Sequence, residues 1–375
     1  MKRPPPVRGP VGHMPPPGTR PASGRRGVRY APGESGPGRA PGTQGEDPMQ
    51  ISPSVRAAMV PDENVMHPDF TSIYLVGPPG GQSLTIDSGE AIERYQWFLR
   101  GYLAATEHAE IGVATITHHH ADHSGNLKWA KEFLDAEISI PRGGRRLLKG
   151  RIPRRVNQLA DGDVLDMGGG VRLQVLATPG HSVDSLCYYL EDEGVLFTGD
   201  TLLGSSTTTV GDLGAYRRSL ERLLELPNLQ VICPGHGKIV NDPRERLQMY
   251  VDHRNLREQQ ILAALDGGEQ LSSWEIMLRV YGDEIDTRLR RAADGNVRSH
   301  LDQLRDEGRI TEYEGKPKRA RSKRAVEREH EHERERDRVL REARRIRAAR
   351  RREEIRRQEN PPSEQWSKPP LYELA

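Results

Sequence analysis

Cysteine is scarce: Cys187 and Cys233 are the only two in 375 residues, and they sit in separate apolar runs. No disulfide framework follows, which excludes a small stapled secreted scaffold and fits a reducing, cytoplasmic location. Long apolar runs are missing too. Nothing approaches the length of a membrane span, so no membrane partner is expected. The chain opens without the apolar core of a signal peptide, and its early prolines forbid the amphipathic helix of a mitochondrial transit peptide.

Hydrophobic residues amount to 34%, a low figure whose deficit lies at the two ends. Residues 1–48 are dominated by Pro, Gly and Arg and cannot bury a core, so they are expected to be a disordered tail. Residues 316–375 are expected to form a charged tail, helical or disordered. Its Arg- and Glu-rich part, 316–359, shows no heptad seam. Between the tails, 49–315 has the composition of a globular body. Met49 follows the first tail directly and offers an alternative translation start, which an intact mass of native protein would test.

The charge is also divided. Residues 1–48 carry eight basic and three acidic side chains, and 316–359 carry nineteen and ten. With a whole-chain net of +2 and a net of −1 over 360–375, the body is left at −11. Two basic tails on an acidic body point either to an anionic partner such as nucleic acid or to solubilising extensions.

Within the body, "FTSIYLVG" (70–77) and "SLTIDSG" (83–89) predict a hairpin across a Pro-Gly-Gly turn. Helical spacing over 91–108 precedes a β-rich run at 111–117. A helix at 126–136 and a strand at 137–140 come next. "VRLQVLATPGH" and "SLCYYLEDEGVLFTGD" supply three more strands, then "LGAYRRSLERLLEL" a helix and "LQVICPGH" a strand. Strands with interspersed helices predict an α/β fold.

One turn is crowded with imidazole: "THHHADHSG" (117–125) holds His118, His119, His120 and His123 beside Asp122. In extended chain, 118 and 120 point the same way while 119 points elsewhere. Alone, such a tract is as easily a surface or core accident. Its partners decide the matter. His181 in "TPGHS", Asp200 in "FTGDT" and His236 in "CPGHG" each follow an apolar strand and sit in tight Gly- or Pro-bearing turns. Imidazole nitrogen and carboxylate oxygen are the ligands of zinc-type sites.

These motifs, in this order, resemble the five motifs of the metallo-β-lactamase superfamily. The resemblance implies an αβ/βα sandwich holding two divalent metals, zinc first, with manganese or iron compatible with nitrogen and oxygen ligands. It assigns His118, His120 and His181 to one metal, Asp122, His123 and His236 to the other, and Asp200 to a bridge. Asp87 in "TIDSG" matches the family's early buried aspartate, which supports the site. The chemistry implied is hydrolysis by a metal-bound hydroxide, with Asp122 and Asp200 as the catalytic carboxylates.

The superfamily spans many substrates, and fold alone does not choose among them. "GDTLLGSSTTTV" departs from the persulfide dioxygenase pattern, and "HRNLREQQIL" (253–262) does not match the glutathione-binding end of glyoxalase II. "GDTLLGSSTTTV", "PGHGKIV" and "HRNLREQQIL" together resemble the beta-lactamase-like protein two family, endoribonucleases of single-stranded RNA. Fungal polyketide carrier-protein thioesterases have similar motifs. The resemblance covers about 49–315, with one departure at Asn126, a loop position where the family commonly has glycine. Domain boundaries are placed at 49–266 for the catalytic domain and 267–315 for a small winged-helix-like domain, whose Val297, Leu301 and Leu304 share one helix face. Arg298, Arg305 and Arg309 are candidates for phosphates or plain solvated arginines. The expected function is metal-dependent cleavage of RNA. Hydrolysis of an acyl-carrier, coenzyme A or glutathione thioester is the alternative, and a metal-retaining nucleic-acid binder with little activity is the third.

Overall fold

Period-two alternation, with both sides of the strand apolar, explains the central architecture. In β2 (Val55–Pro61) Val55 and Ala57 face one cluster while Ala58 and Val60 face another. In β3 (Phe70–Val76) Tyr74 and Val76 oppose Ile73 and Leu75 in the same manner. A strand apolar on both faces must be covered on both. The computed structural model describes residues 50–61, 70–105, 110–282, 285–317, 366–368 and 371–374. The tail expected at 1–48, the Met49 start and the Arg/Glu-rich part of 316–375 beyond residue 317 lie outside them.

The first sheet runs β1 (Gln50–Ser52), β2, β3, β4 (Gln82–Ile86), β5 (Glu110–Thr115), β6 (Glu137–Pro141) and β7 (Asn157–Leu159). Pairing is antiparallel from β1 to β4 and parallel from β4 to β7. The second sheet orders β12 (Val231–Pro234), β11 (Val195–Gly199), β10 (Leu186–Leu190), β9 (Arg172–Ala177) and β8 (Val164–Asp166). Leu186, Tyr188, Val195 and Phe197 meet Tyr74, Leu84 and Ile86 between the sheets.

Helices cover the outer faces. α1 (Glu93–Ala105) and α3 (Leu127–Leu134) bury Tyr95, Leu99, Leu127 and Trp129 on the first sheet. α4 (Leu213–Leu224) and α5 (Pro243–Leu265) bury Tyr216, Leu220, Leu247 and Tyr250 on the second. The result is the expected αβ/βα sandwich. A one-turn helix, α2 (Ala121–Ser124), carries the end of the histidine tract.

The small domain consists of α6 (Ser273–Tyr281), α7 (Arg290–Asp306) and β13 (Ile310–Tyr313). Ser272 and Glu275 form a capping box at the start of α6. Val297, Leu301 and Leu304 are buried in its core. Its sheet is completed from an unexpected quarter: β16 (Leu371–Leu374), from the stretch read as tail, pairs antiparallel with β13. β14 (Lys316–Pro317) and β15 (Trp366–Lys368) form a second short ladder. "LYEL" has the alternating apolar character of a strand, and Tyr372, 6% exposed, joins the small domain's core.

Candidate metal centre

The seven side chains singled out in the sequence converge at one edge of the sandwich, from loops that follow strand ends. His118, His120, His181 and Asp200 form one group and Asp122, His123 and His236 another. Within each, the ligand atoms lie within 4.8 Å of one another. Asp200 faces both groups. Its Oδ1 is 3.3 Å from His123 Nε2 and 3.4 Å from His236 Nε2, and its Oδ2 is 3.6 Å from His181 Nε2. Asp122 Oδ2 is 3.3 Å from His236 Nε2. As extended chain requires, His118 Nε2 meets His120 Nδ1 at 2.8 Å, while His119 turns away to the Asp184 carboxylate at 2.7 Å.

The outward nitrogens fix which way the lone pairs point. Asp87 Oδ2, a pure acceptor, takes the His123 Nδ1–H at 2.7 Å. The Thr209 carbonyl takes the His181 Nδ1–H at 2.8 Å. Thr117 Oγ1 donates to Asp87, so it must accept from His118 Nδ1 at 3.1 Å. Each of these rings therefore turns a bare Nε2 lone pair inward. His120 Nδ1 lies 2.8 and 3.1 Å from two such nitrogens. A proton on His120 Nδ1 can answer only one of them, so at least one inward lone pair is left for a cation. Asp200 Oδ1, buried and accepting no hydrogen bond, makes the same demand.

At His118, His120, His181, Asp122 and Asp200 electrostatics favours the protonation states that metal ligation needs. Burial, then the charges of His123 and His181, push His118 well below the usual histidine value. Burial and His181 lower His120 to about 4. Burial also lowers His181. Asp200 and Asp122 are pulled down against the opposing effect of burial, Asp200 chiefly by His236 and His123, and Asp122 chiefly by His123. His123 goes the other way: burial resists its charge, but Asp87, Asp200 and Asp122 raise it. Three carboxylates around one imidazole hold negative charge that calls for a cation. The residues present thus fit divalent metal.

Close approach depends on backbone. A Cβ on Gly235 would lie 2.6 Å from His123 Cε1 and 2.9 Å from Asp200 Oδ1. Asp87 is held at φ 65° with its side chain buried, a left-handed conformation uncommon outside glycine, and accepts from Thr117 N at 2.7 Å.

Sequence reasoning missed the bracing groups, Thr117, Thr71, Thr208 and the Thr209 carbonyl. Thr71 Oγ1 contacts His236 Nδ1 at 3.1 Å, and Thr208 Oγ1 contacts His181 Nδ1 at 3.0 Å. Adjacency to His118 was the one available signal, for Thr117. Arg151 was also missed; it donates to the His119 carbonyl and Ser124 Oγ at 2.6 Å each. The helix arginines, by contrast, are spoken for. Arg298 pairs with Asp294, Arg305 with Asp302, Asp306 and Glu312, and Arg309 with Glu258 and Glu307.

Fold and ligand set together define a metal-dependent hydrolase of the four-layer αβ/βα type. The metallo-beta-lactamase superfamily matches residues 67–236, and the beta-lactamase associated winged helix domain matches 272–319. A beta-lactamase-like protein 2 homolog of Caenorhabditis elegans is 34% identical over 64% of this chain and 79% of its own length. Its Drosophila melanogaster counterpart is 33% identical over 64% and 84%. An atrochrysone carboxyl ACP thioesterase of Aspergillus fumigatus is 32% identical over 57% and 66%. A solved metallo-beta-lactamase family protein from Thermus thermophilus superposes with a TM-score of 0.60 at 26% identity, covering 71% of this chain and 97% of that one. The chain belongs to the metallo-beta-lactamase superfamily, with a winged helix domain following the catalytic fold. Among the described residues no helix is long and apolar enough to cross a membrane.

Proposed function

We propose that the protein is a two-metal hydrolase that cleaves single-stranded RNA phosphodiesters, with zinc as the resident ion. The observation that carries the two-metal part is the placement of Asp200, one oxygen toward each ligand group. Divalent ions held there supply an acidified water and a counter-charge for oxygen anions. Asp122, kept ionised by its histidine neighbours, would orient such a water and take up its proton. His118 and His123, 1% and 0% exposed, close the floor of the site to bulk water.

RNA is favoured by the winged helix domain and by similarity to beta-lactamase-like protein 2 homologs over most of their length. A cytoplasmic location and nucleic-acid binding by the basic tails belong to the same proposal. The second reading, thioester hydrolysis, draws on the similarity to a carrier-protein thioesterase. A labelled single-stranded RNA incubated with zinc- or manganese-loaded protein separates them, with an Asp200→Ala, His120→Ala double variant alongside. Cleavage confined to the unsubstituted protein supports the proposal. Intact RNA together with turnover of an acyl-pantetheine thioester transfers the assignment to the second reading.

A further inference from the structure

The segment joining β6 to β7 is the most basic stretch of the described residues. Between Pro141 and Asn157 it holds Arg142, Arg145, Arg146, Lys149, Arg154 and Arg155, all exposed, without a single Asp or Glu. Among the described residues none of the six meets a carboxylate. The one side-chain hydrogen bond they make runs from Arg145 to the Arg154 carbonyl at 3.2 Å. This contrasts with Arg298, Arg305 and Arg309 of the small domain, each neutralised by an acidic partner. In a body with net charge −11, leaving six adjacent cations unpaired is a marked segregation.

The segment is also anchored beside the metal centre. Leu148 is fully buried in the same core cluster as Leu127 and Ala130 of α3. Arg151, the seventh cation, clamps the loop to the histidine tract through the His119 carbonyl and Ser124 Oγ. Gly144 neighbours Asp184, the partner of His119: an added Cβ would stand in ordinary contact with Asp184 Oδ2, at 3.4 Å. The exposed cations are therefore presented from a fixed base that touches the ligand loop.

We infer that residues 142–155 form a phosphate track that holds the RNA backbone as it enters the metal centre. The inference rests on the RNA reading above. Phosphate backbone is bound by unpaired charge, whereas a protein partner needs apolar anchors at the centre of its interface. Leu147 is the only large apolar side chain exposed in the segment. Arg151 is a positioning residue, since its guanidinium is spent on the clamp.

Binding of a short fluorescent single-stranded RNA to the full chain, kept metal-free with chelator so that nothing is cleaved, tests this directly. The loop variant is Arg142→Ser, Arg145→Ser, Arg146→Ser, Lys149→Ser. A charge-preserving set carries lysine at the three arginines. A third protein lacks 318–365, with β14 joined to β15 by an Asn-Gly turn so that β16 is retained. Losing four phosphate contacts should weaken binding at least about tenfold at low salt and flatten the log–log salt dependence by about 2–3, at ~0.7 per contact. The lysine set should bind nearly as the parent does. Unchanged affinity and slope in the loop variant, with binding lost only on deleting 318–365, overturns the track. So does loop-dependent capture of an acidic acyl carrier protein in place of RNA. If the loaded enzyme leaves RNA intact while metal-free binding still depends on the loop, the hydrolytic proposal fails and the track stands.

Discussion

His123 and His181 reach the same aspartate from opposite sides, and they are braced by different materials. Behind His123 stands a buried carboxylate, Asp87, itself fixed by Thr117 from the first sheet. Behind His181 stand a backbone carbonyl and a hydroxyl from residues 208–209. That second brace leans partly on the following domain. Asn296 of α7 accepts from Val210 N at 2.7 Å, while Arg254 of the sandwich's own α5 donates to the Thr208 carbonyl at 2.7 Å. One half of the centre is thus keyed to the sandwich alone and the other also to the small domain, through Asn296. Perturbing either support should disturb the two halves unequally.

Removing what both share erases the comparison. Asp200→Ala should lower turnover by about three orders of magnitude or more and reduce bound metal in both groups, read by elemental analysis and steady-state kinetics. Asp87→Asn should act chiefly on one half, weakening metal held by Asp122, His123 and His236 about 10–100-fold, as loss of an outer-sphere partner does, with a smaller effect on the other through Thr117 and His118. A chelator competition titration resolves it, and equal weakening of both groups would refute the asymmetry. Asn296→Ala leaves the Val210 N–H without its partner and should weaken the His118, His120 and His181 group about a few-fold, leaving the other unchanged.

Acid sharpens the contrast through the small domain's seam. Burial holds His300 at about 4, and burial with the charge of Arg254 and Arg257 holds His253 at about 4. The unfolded chain protonates near 6.5. Stability is therefore complete above about pH 6.5, falls as the pH drops toward 4, and levels below. For fully buried His300 the loss is on the order of 3 kcal/mol. Thermal unfolding across that window should show His300→Gln losing several degrees less than the parent. The smallest effect belongs to Arg309→Ala. Its pair with Glu258 is half-exposed, so unfolding should shift by no more than about 1 kcal/mol, with metal content unchanged.

The seven converging side chains and Asp87 were legible because His118, His181, Asp200, His236 and Asp87 follow apolar strands closely and His120, Asp122 and His123 crowd the same short tract, contrasts that local sequence displays. The inter-sheet core was legible wherever β-rich residues alternate, as in Phe70–Val76. β2 was not: "VRAAMVP" has alanine at positions whose burial depends on partners distant in the chain. The braces were hidden for a related reason. Thr208 and Thr209 look like any polar loop, and a backbone carbonyl has no sequence signature at all. Arg305 and Arg309 resembled phosphate ligands because their carboxylate partners include residues brought close only by the fold, Glu312 and Glu258. The clustered cations of 142–155 stood in plain view, and what the sequence withheld was that Arg151 fastens their loop to the histidine tract.

The pairings of β13 with β16 and of β14 with β15 have a geometric consequence for the chain between residues 317 and 366. A segment free at one end explores its whole contour, whereas one fixed at two neighbouring points extends at most half as far. Any partner captured on that span is consequently tethered near the small domain, at an effective concentration set by the closed loop instead of by diffusion from solution. Cutting the span beside one of its fixed ends would double its greatest reach without removing a residue.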